Sequence, residues 1–429
     1  AFAAPDGIKR LRELILTLAM QGKLVPQNPK DRPASELLKE IEAEKKRLIK
    51  EGKIKKSKPL PEITPDEIPY DLPDSWEWVR LGEIGETQTG TTPPRKDIEN
   101  FGDFIPFINP GDIKNYRINY SENGLSKIGL SKGRLIEENS ILMVCIGGSI
   151  GKHAINNRDI TCNQQINTIT PYCRESVKFL FLAMGEKLFQ KTVIDQAGGS
   201  ATPIINKQKW SSILIPIPPL EEQRRLVEKI DRLMEKVDRL EKLQKERDRK
   251  RLIIHAAASD RLLNPPDKNS FNDGCNFIQN NFDELYSVKE NITELRKAIL
   301  QLAVMGKLVP QDSNDPPASE LLKEIEAEKE RLIKEEKIKK QKPLPEIKPE
   351  EIPYELPKSW EWIRLGDITV FSDSGWSPQC LKRSKIDDEW GVLKVSSVSW
   401  GIFNPNENKA LPQSMQERKE IEVKVGDFL

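Results

Sequence analysis

Apolar positions recur with a helical period in three stretches of the chain. Between residues 220 and 263, Leu226, Ile230, Leu233, Val237 and Leu240 are spaced 4, 3, 4 and 3, a heptad seam that predicts a long coiled-coil helix. Pro216, Pro218 and Pro219 stop the strand before it, and Asn264-Pro265-Pro266 ends it. A second seam runs through Leu285, Val288, Ile292, Leu295, Ile299 and Leu302. The polar stretch 264–284 between them predicts a loop-like linker in which the chain turns back, so the two seams predict an antiparallel pair. A third stripe, Ile8, Leu11, Ile15 and Leu18, has no long helix to pair with in this reading. An insert, another chain or a second copy of itself must cover it. A further helix is predicted over 35–56, with Ser35 as its cap and Leu37, Leu38, Ile41, Leu48 and Ile49 on one side. Its basic end, Lys50–Lys58, predicts a solvated face, and the proline-rich strip 60–73 a stiff extended connector.

From Trp76 to Pro219 the helical period gives way to short apolar runs and glycine turns, with one helical stretch near 176–190. This predicts a mixed α/β domain with a predominantly β face.

The chain also repeats itself. Residues 8–84 recur at 292–368, displaced by 284. GKLVPQ begins at Gly22 and Gly306, ASELLKEIEAEK at Ala34 and Ala318, KPLPEI at Lys58 and Lys342, and SWEW at Ser75 and Ser359. After Ile84 and Ile368 the identity collapses to faint echoes, such as GTTP from Gly90 facing GWSP from Gly375. Two nearly identical frames therefore carry two inserts of one plan and different surface. Leu429 falls opposite about Met143, so the second insert is expected to be incomplete. The predicted organisation is a helical frame over 1–70, a first insert domain over 71–218, a spacer helix over 219–263, a linker over 264–284, a second frame over 285–354 and a second, incomplete insert domain over 355–429.

Composition narrows the chemistry. No apolar run approaches the length that spans a bilayer, and no basic segment leads into an apolar core at the N-terminus, so a cytoplasmic protein is expected. Five cysteines without a CxxC pair and two histidines argue for free thiols and against structural zinc; no metal and no cofactor are expected. A net charge of +1 neither favours nor opposes nucleic acid. Gly147–His153 looks like a phosphate loop, but its glycines are one residue too close, and His153 stands where Ser or Thr would hold magnesium. A glycine turn with a lysine beside DNA phosphates is the better reading. Asn264-Pro265-Pro266-Asp267 lacks the aromatic of an adenine-methyltransferase motif and reads as a helix stop.

In order along the chain stand SWEWVRLGEI, GTTP, IPFINPGDI, SILMVCIGGSIGK, CNQQINTI, GGSATPIINK and ILIPIPPLEEQRRLVEKID. This succession resembles the target-recognition domain and following spacer helix of specificity subunits in type I restriction–modification enzymes, and it restarts in the second half. The resemblance implies two mixed α/β target-recognition domains, the second incomplete here, joined by long antiparallel coiled-coil helices. It implies no catalysis by the chain itself. It implies recognition of double-stranded DNA at a bipartite asymmetric site, with two methyltransferase subunits docked on the helices and a restriction subunit joining the complex. Two other readings stay open: a truncated subunit pairing with itself through the Ile8–Leu18 helix to read a symmetric split site, and a coiled-coil scaffold whose inserts bind protein.

Reading DNA needs side chains that reach base edges and others that fix the register on phosphates. Small polar and basic residues on predicted turns are the candidates. In the first insert these are Thr91, Thr92, Arg95 and Lys96; Lys114, Asn115, Tyr116 and Arg117; Ser149 and Lys152; and Ser200, Thr202 and Lys207. In the second, Trp376, Ser377, Gln379, Lys382 and Arg383 take the place of the first group. Ser396, Ser397, Ser399 and Trp400 take that of the Lys114 turn. The two sets differ chemically, which predicts two unlike half-sites.

Overall fold

The computed structural model describes residues 6–199, 202–340, 342–372 and 374–429. It divides into two compact units, 1–247 and 248–429, with the boundary inside one long helix.

The first unit opens with helices α1 (Gly7–Met20) and α2 (Ala34–Lys50) and strands β1 (Glu77–Arg80), β2 (Gly85–Thr89), β3 (Phe101–Ile108), β4 (Ile113–Lys114), β5 (Arg117–Ile118) and β6 (Gly124–Leu125). There follow α3 (Lys127–Lys132), β7 (Ile141–Val144), β8 (His153–Ile155), β9 (Thr161–Cys162), β10 (Ile166–Pro171), α4 (Val177–Met184), α5 (Lys187–Asp195), α6 (Lys207–Ser211), β11 (Leu214–Ile217) and the long helix α7 (Leu220–Leu263). The main sheet has the antiparallel order β2-β10-β7-β8. Every residue of β7 is buried, because the sheet is covered on both faces. Ile141 and Met143 join the large cluster that includes Phe179, Trp210, Ile15 and Leu226, while Leu142 and Val144 face a second cluster around Ile108, Ile136 and Cys162.

The stripe on α1 is not left uncovered. Ile15, Ala19 and Met20 are buried, and Ile8 and Leu11 pack beside them, in one cluster with Leu226, Ile230 and Val237 of α7. Arg12 binds Asp238 and Glu241 at 2.7 Å each, while Gln27 donates to Glu222 at 2.6 Å. As one strand of this pairing rises in number the other falls, so α1 lies antiparallel to the first half of α7. The expectation that this stripe lacks a helix within the chain is therefore corrected. The heptad of α7 is used unevenly: Leu226, Ile230 and Val237 are buried, Leu233 is half-buried and Leu240 is exposed.

In the second unit the predicted linker is helical. Asp267 caps α8 (Lys268–Asn280) by accepting from the Ser270 amide at 2.7 Å, and α9 (Phe282–Leu285) follows. Then come α10 (Lys289–Val304), α11 (Ala318–Lys334) and strands β12 (Gly391–Leu393), β13 (Val398–Ser399), β14 (Ile402–Phe403) and β15 (Asn408–Ala410). A second correction concerns direction. Asn291 donates to the Arg251 carbonyl at 3.3 Å and Lys307 to the Leu263 carbonyl at 3.4 Å, so α10 runs parallel to the second half of α7. The reason is topological: α8 and α9 fold back along α7, and a second reversal restores the original direction. Asn291, Ala298 and Leu302 form the buried face of α10, while Ile292 and Ile299 of the predicted seam are exposed.

The inserts share a backbone plan. Hairpin β4/β5 has its counterpart in β13/β14, each with a two-residue turn, displaced by 285. The pair β3/β6 corresponds to β12/β15. The bond from the Asn119 amide to the Asp112 carbonyl, 2.9 Å, recurs from Asn404 to Ser397 at 2.8 Å.

Candidate nucleic-acid interface

Three of the four predicted groups in the first insert meet at one end of the main sheet. There β2 and β7 finish and β10 and β8 begin. The Thr91 amide donates to the Cys162 carbonyl at 2.9 Å, and the Thr92 hydroxyl bonds the amide oxygen of Gln164. The Gly147 amide donates to the Pro203 carbonyl at 2.9 Å, and the Cys145 amide to that of Gln165 at 2.8 Å. These bonds lock the 90–92 turn, the 145–152 loop, the 163–165 turn and the 202–205 segment into one surface. Gly147 and Gly151 stand at φ +94° and +89°, the left-handed region in which the tight 145–152 loop needs glycine. Thr202 is exposed there, and Lys207 reaches back to the Thr87 carbonyl at 3.3 Å. Ser200 lies outside the described residues.

The remaining group forms the β4/β5 hairpin beside outer strand β8. Asn115 and Tyr116 occupy the turn at φ +50° and +62°, the double positive φ of a type I′ turn. The Tyr116 ring sits edge-on to His153 at 5.3 Å and to Phe181 at 5.9 Å between centroids. Arg95, Lys96, Lys114, Arg117 and Lys152 are all exposed and make no ion pair or side-chain hydrogen bond among the described residues. Free cations on turns suit phosphate contacts.

In the second insert Lys382, Ser377 and Gln379 are exposed, and Trp400 is fully exposed at the β13/β14 turn. Ser399 is exposed beside it. Trp376 lies half-buried under the guanidinium of Arg418, 4.7 Å from the ring centroid. Arg383 is engaged by Glu389 through both terminal nitrogens, at 2.5 and 2.7 Å, and Ser396 donates to Glu407 at 3.0 Å. Ser397 is buried, its hydroxyl donating to the Lys394 carbonyl at 2.6 Å. Ser397 is therefore turned inward, because it holds the turn that in the first insert is held around Asp112.

Sequence reasoning missed Gln164, Gln165 and Arg134. Gln164 is exposed at the centre of the converging turns, Gln165 lies half-exposed beside Gly147, and Arg134 donates to the Thr89 carbonyl at 2.8 Å. The signal was present: Gln164 and Gln165 interrupt an apolar run between β9 and β10, next to Asn163, which is buried and accepts from the Gln165 amide at 2.7 Å.

Burial pushes the Cys145 and Cys162 thiols up to about 12 and lowers the pKa of His153, whose Nδ1 donates to the Gly151 carbonyl at 3.1 Å. No group of metal-ligating side chains is found among the described residues.

Residues 73–247 match the family model of the type I restriction modification DNA specificity domain. The chain is 39% identical over 453 residues to the specificity subunit of the type I restriction enzyme EcoEI of Escherichia coli, covering 99% of this chain and 72% of that one. It is 37% identical over 435 residues to the EcoAI specificity subunit of Escherichia coli, covering 95% and 70%. The chain belongs to the specificity subunits of type I restriction enzymes. The solved HsdS subunit from Thermoanaerobacter tengcongensis is similar at 21% identity and a TM-score of 0.32, over 55% of this chain and 50% of that one. Both Escherichia coli relatives are named as specificity subunits of type I restriction enzymes. No helix among the described residues of this chain is long and apolar enough to cross a membrane.

Proposed function

We propose that this subunit reads a bipartite, asymmetric DNA sequence and directs two methyltransferase subunits and a restriction subunit to it. One observation carries the reading: the two inserts repeat a backbone plan at a displacement of 285 while presenting unlike side chains at equivalent turns. One scaffold with two chemistries is what two different half-sites require. The first surface offers Thr91, Thr92, Ser149, Thr202, Gln164 and Gln165 to base edges, with Arg95, Lys96, Lys114, Arg117 and Lys152 for phosphates. A glutamine amide bonding a base bidentately discriminates by about 1–3 kcal/mol, while each hydroxyl adds a single bond. The second offers Trp376, Ser377, Gln379, Lys382 and Ser399. Arg383 and Ser396 are spoken for by carboxylates and contribute only if those release them.

Self-pairing through the Ile8–Leu18 helix loses support, because that helix spends its apolar face on α7. The test is to express the subunit with the methyltransferase subunit of the same system and map methylated adenines across the genome. A split asymmetric motif is the expected result. A palindromic split motif would favour self-pairing, and no methylation from an intact complex would favour a protein scaffold.

A further inference from the structure

The two hairpins have one property in common that their sequences hide. Their turns read Lys114-Asn115-Tyr116-Arg117 and Ser399-Trp400-Gly401-Ile402, and share no residue. Yet each places one large aromatic ring at the tip. Tyr116 is 64% exposed and Trp400 fully exposed. Neither position favours such a residue. Tyr116 stands at φ +62°, where a bulky side chain is an outlier and Asn or Gly the usual occupant. Trp400 precedes Gly401 at φ +71° in a turn that any small polar residue would serve. Neither ring supports the core: Trp400 touches no packed cluster, and Tyr116 only rests an edge on His153 and Phe181.

Building on the DNA-recognition reading, we propose that both tips lay their aromatic ring against the DNA as a sequence-tolerant contact, equivalent in the two half-sites. In a duplex the base faces are stacked on one another, but the backbone sugars offer apolar edges at every position, so an aromatic ring packed on them adds affinity without choosing a sequence. The surrounding polar residues then carry the difference between the half-sites. His153 and Phe181 hold the Tyr116 ring from behind, so little ordering is needed on contact. The cations Lys114 and Arg117 flank Tyr116, whereas Ser399 and Ile402 flank Trp400; the first tip adds phosphate contacts and the second the ring alone.

The experiment uses the complex of this chain with its methyltransferase subunit, binding duplexes that carry the methylated motif or single-base variants of it. Trp400→Ala is the clean variant, since the ring packs on nothing; Tyr116→Ala is paired with Tyr116→Phe, which keeps the ring and its supports. Each Ala variant is expected to weaken binding about 10-fold on every duplex alike, with the methylated motif unchanged, and Tyr116→Phe to bind as the unaltered complex does. Unchanged binding by both Ala variants overturns the proposal, as does a motif that relaxes at one position, which would make the rings base readers. If the unaltered complex binds no DNA, the parent reading fails and this one with it.

Discussion

Trp76 and Trp360 hold the same place in two copies of one frame, yet Trp76 is 4% exposed and Trp360 39%. The hydrogen bonds within the two frames recur. Both copies end their first helix with the same pair of bonds, Gly22 to Ala19 and Lys23 to Leu18, and Gly306 to Ala303 and Lys307 to Leu302, a Schellman motif. Ser75 donates to Gln27 at 3.2 Å and Ser359 to Gln311 at 3.4 Å. Tyr70 reaches the Met20 carbonyl at 3.1 Å and Tyr354 that of Val304 at 3.4 Å. Arg80 binds Glu67, and Arg364 binds Glu351, both at 2.9 Å.

What differs is the cover. In the first copy the start of α7 lies over the frame: Trp76 Nε1 donates to Glu222 at 3.0 Å, and Arg225 binds Asp31 at 2.5 Å. Strand β11 pairs with β1 beside them. Among the described residues the second copy has no such cover; residues 361–364 form no strand, and α11 buries none of its residues. Local sequence therefore builds the frame twice, and burial comes from what lies on top of it.

The largest expected effect separates the copies. Trp76→Ala should cost about 3–5 kcal/mol, as for a large aromatic removed from a packed core, and Trp360→Ala less than about 1 kcal/mol. Urea denaturation followed by circular dichroism measures both; equal costs would break the comparison. A middle effect should be the same in both. At Gly22 and Gly306, φ is +67° and +66°, and an added Cβ would lie 2.5 Å from Pro73 Cγ and 2.4 Å from Pro357 Cγ. Gly22→Ala and Gly306→Ala should each cost about 1–2 kcal/mol from the left-handed backbone alone. A loss confined to one copy would show that the frames are not locally equivalent.

The smallest effect concerns pH. Burial holds the Glu222 carboxyl above its ordinary 4.5, against the pull of donors Trp76 and Gln27. The folded state binds this proton more tightly than the unfolded chain. Its contribution is therefore fully present below 4.5 and is lost as pH rises through the raised folded value. Glu222→Gln should flatten that part of the stability curve between pH 4.5 and neutrality, read from unfolding midpoints across pH. Identical pH dependence before and after substitution would contradict it. Trp360 has no buried carboxylate partner among the described residues, so no matching pH step is expected from the second frame.

The candidate surface was legible in part. Turns rich in glycine, threonine and lysine marked the 90–92, 145–152 and 202–207 segments, because small polar residues on turns have no packing role. Gln164 and Gln165 escaped because their run sits inside an apolar strand pattern. Ser397 was misplaced because a serine on a predicted turn gives no sign of whether its hydroxyl faces solvent or the turn's own carbonyl. The 264–284 stretch read as a loop because Pro265, Pro266 and many asparagines outweigh a sparse apolar set. Phe271, Cys275 and Ile278 nonetheless fall on one helical face and pack with Leu262 and Leu285.

By itself the sequence determined the duplication, the helical period of the frame and the switch to short strands in the inserts. Each follows from side-chain spacing within a few turns of chain. Only the tertiary structure decided which face meets which: that α1 is covered by the first half of α7, and that α10 runs parallel to its second half. An apolar stripe specifies that it must be covered, but not by what or in which direction, since burial is non-directional and depends on area removed from water.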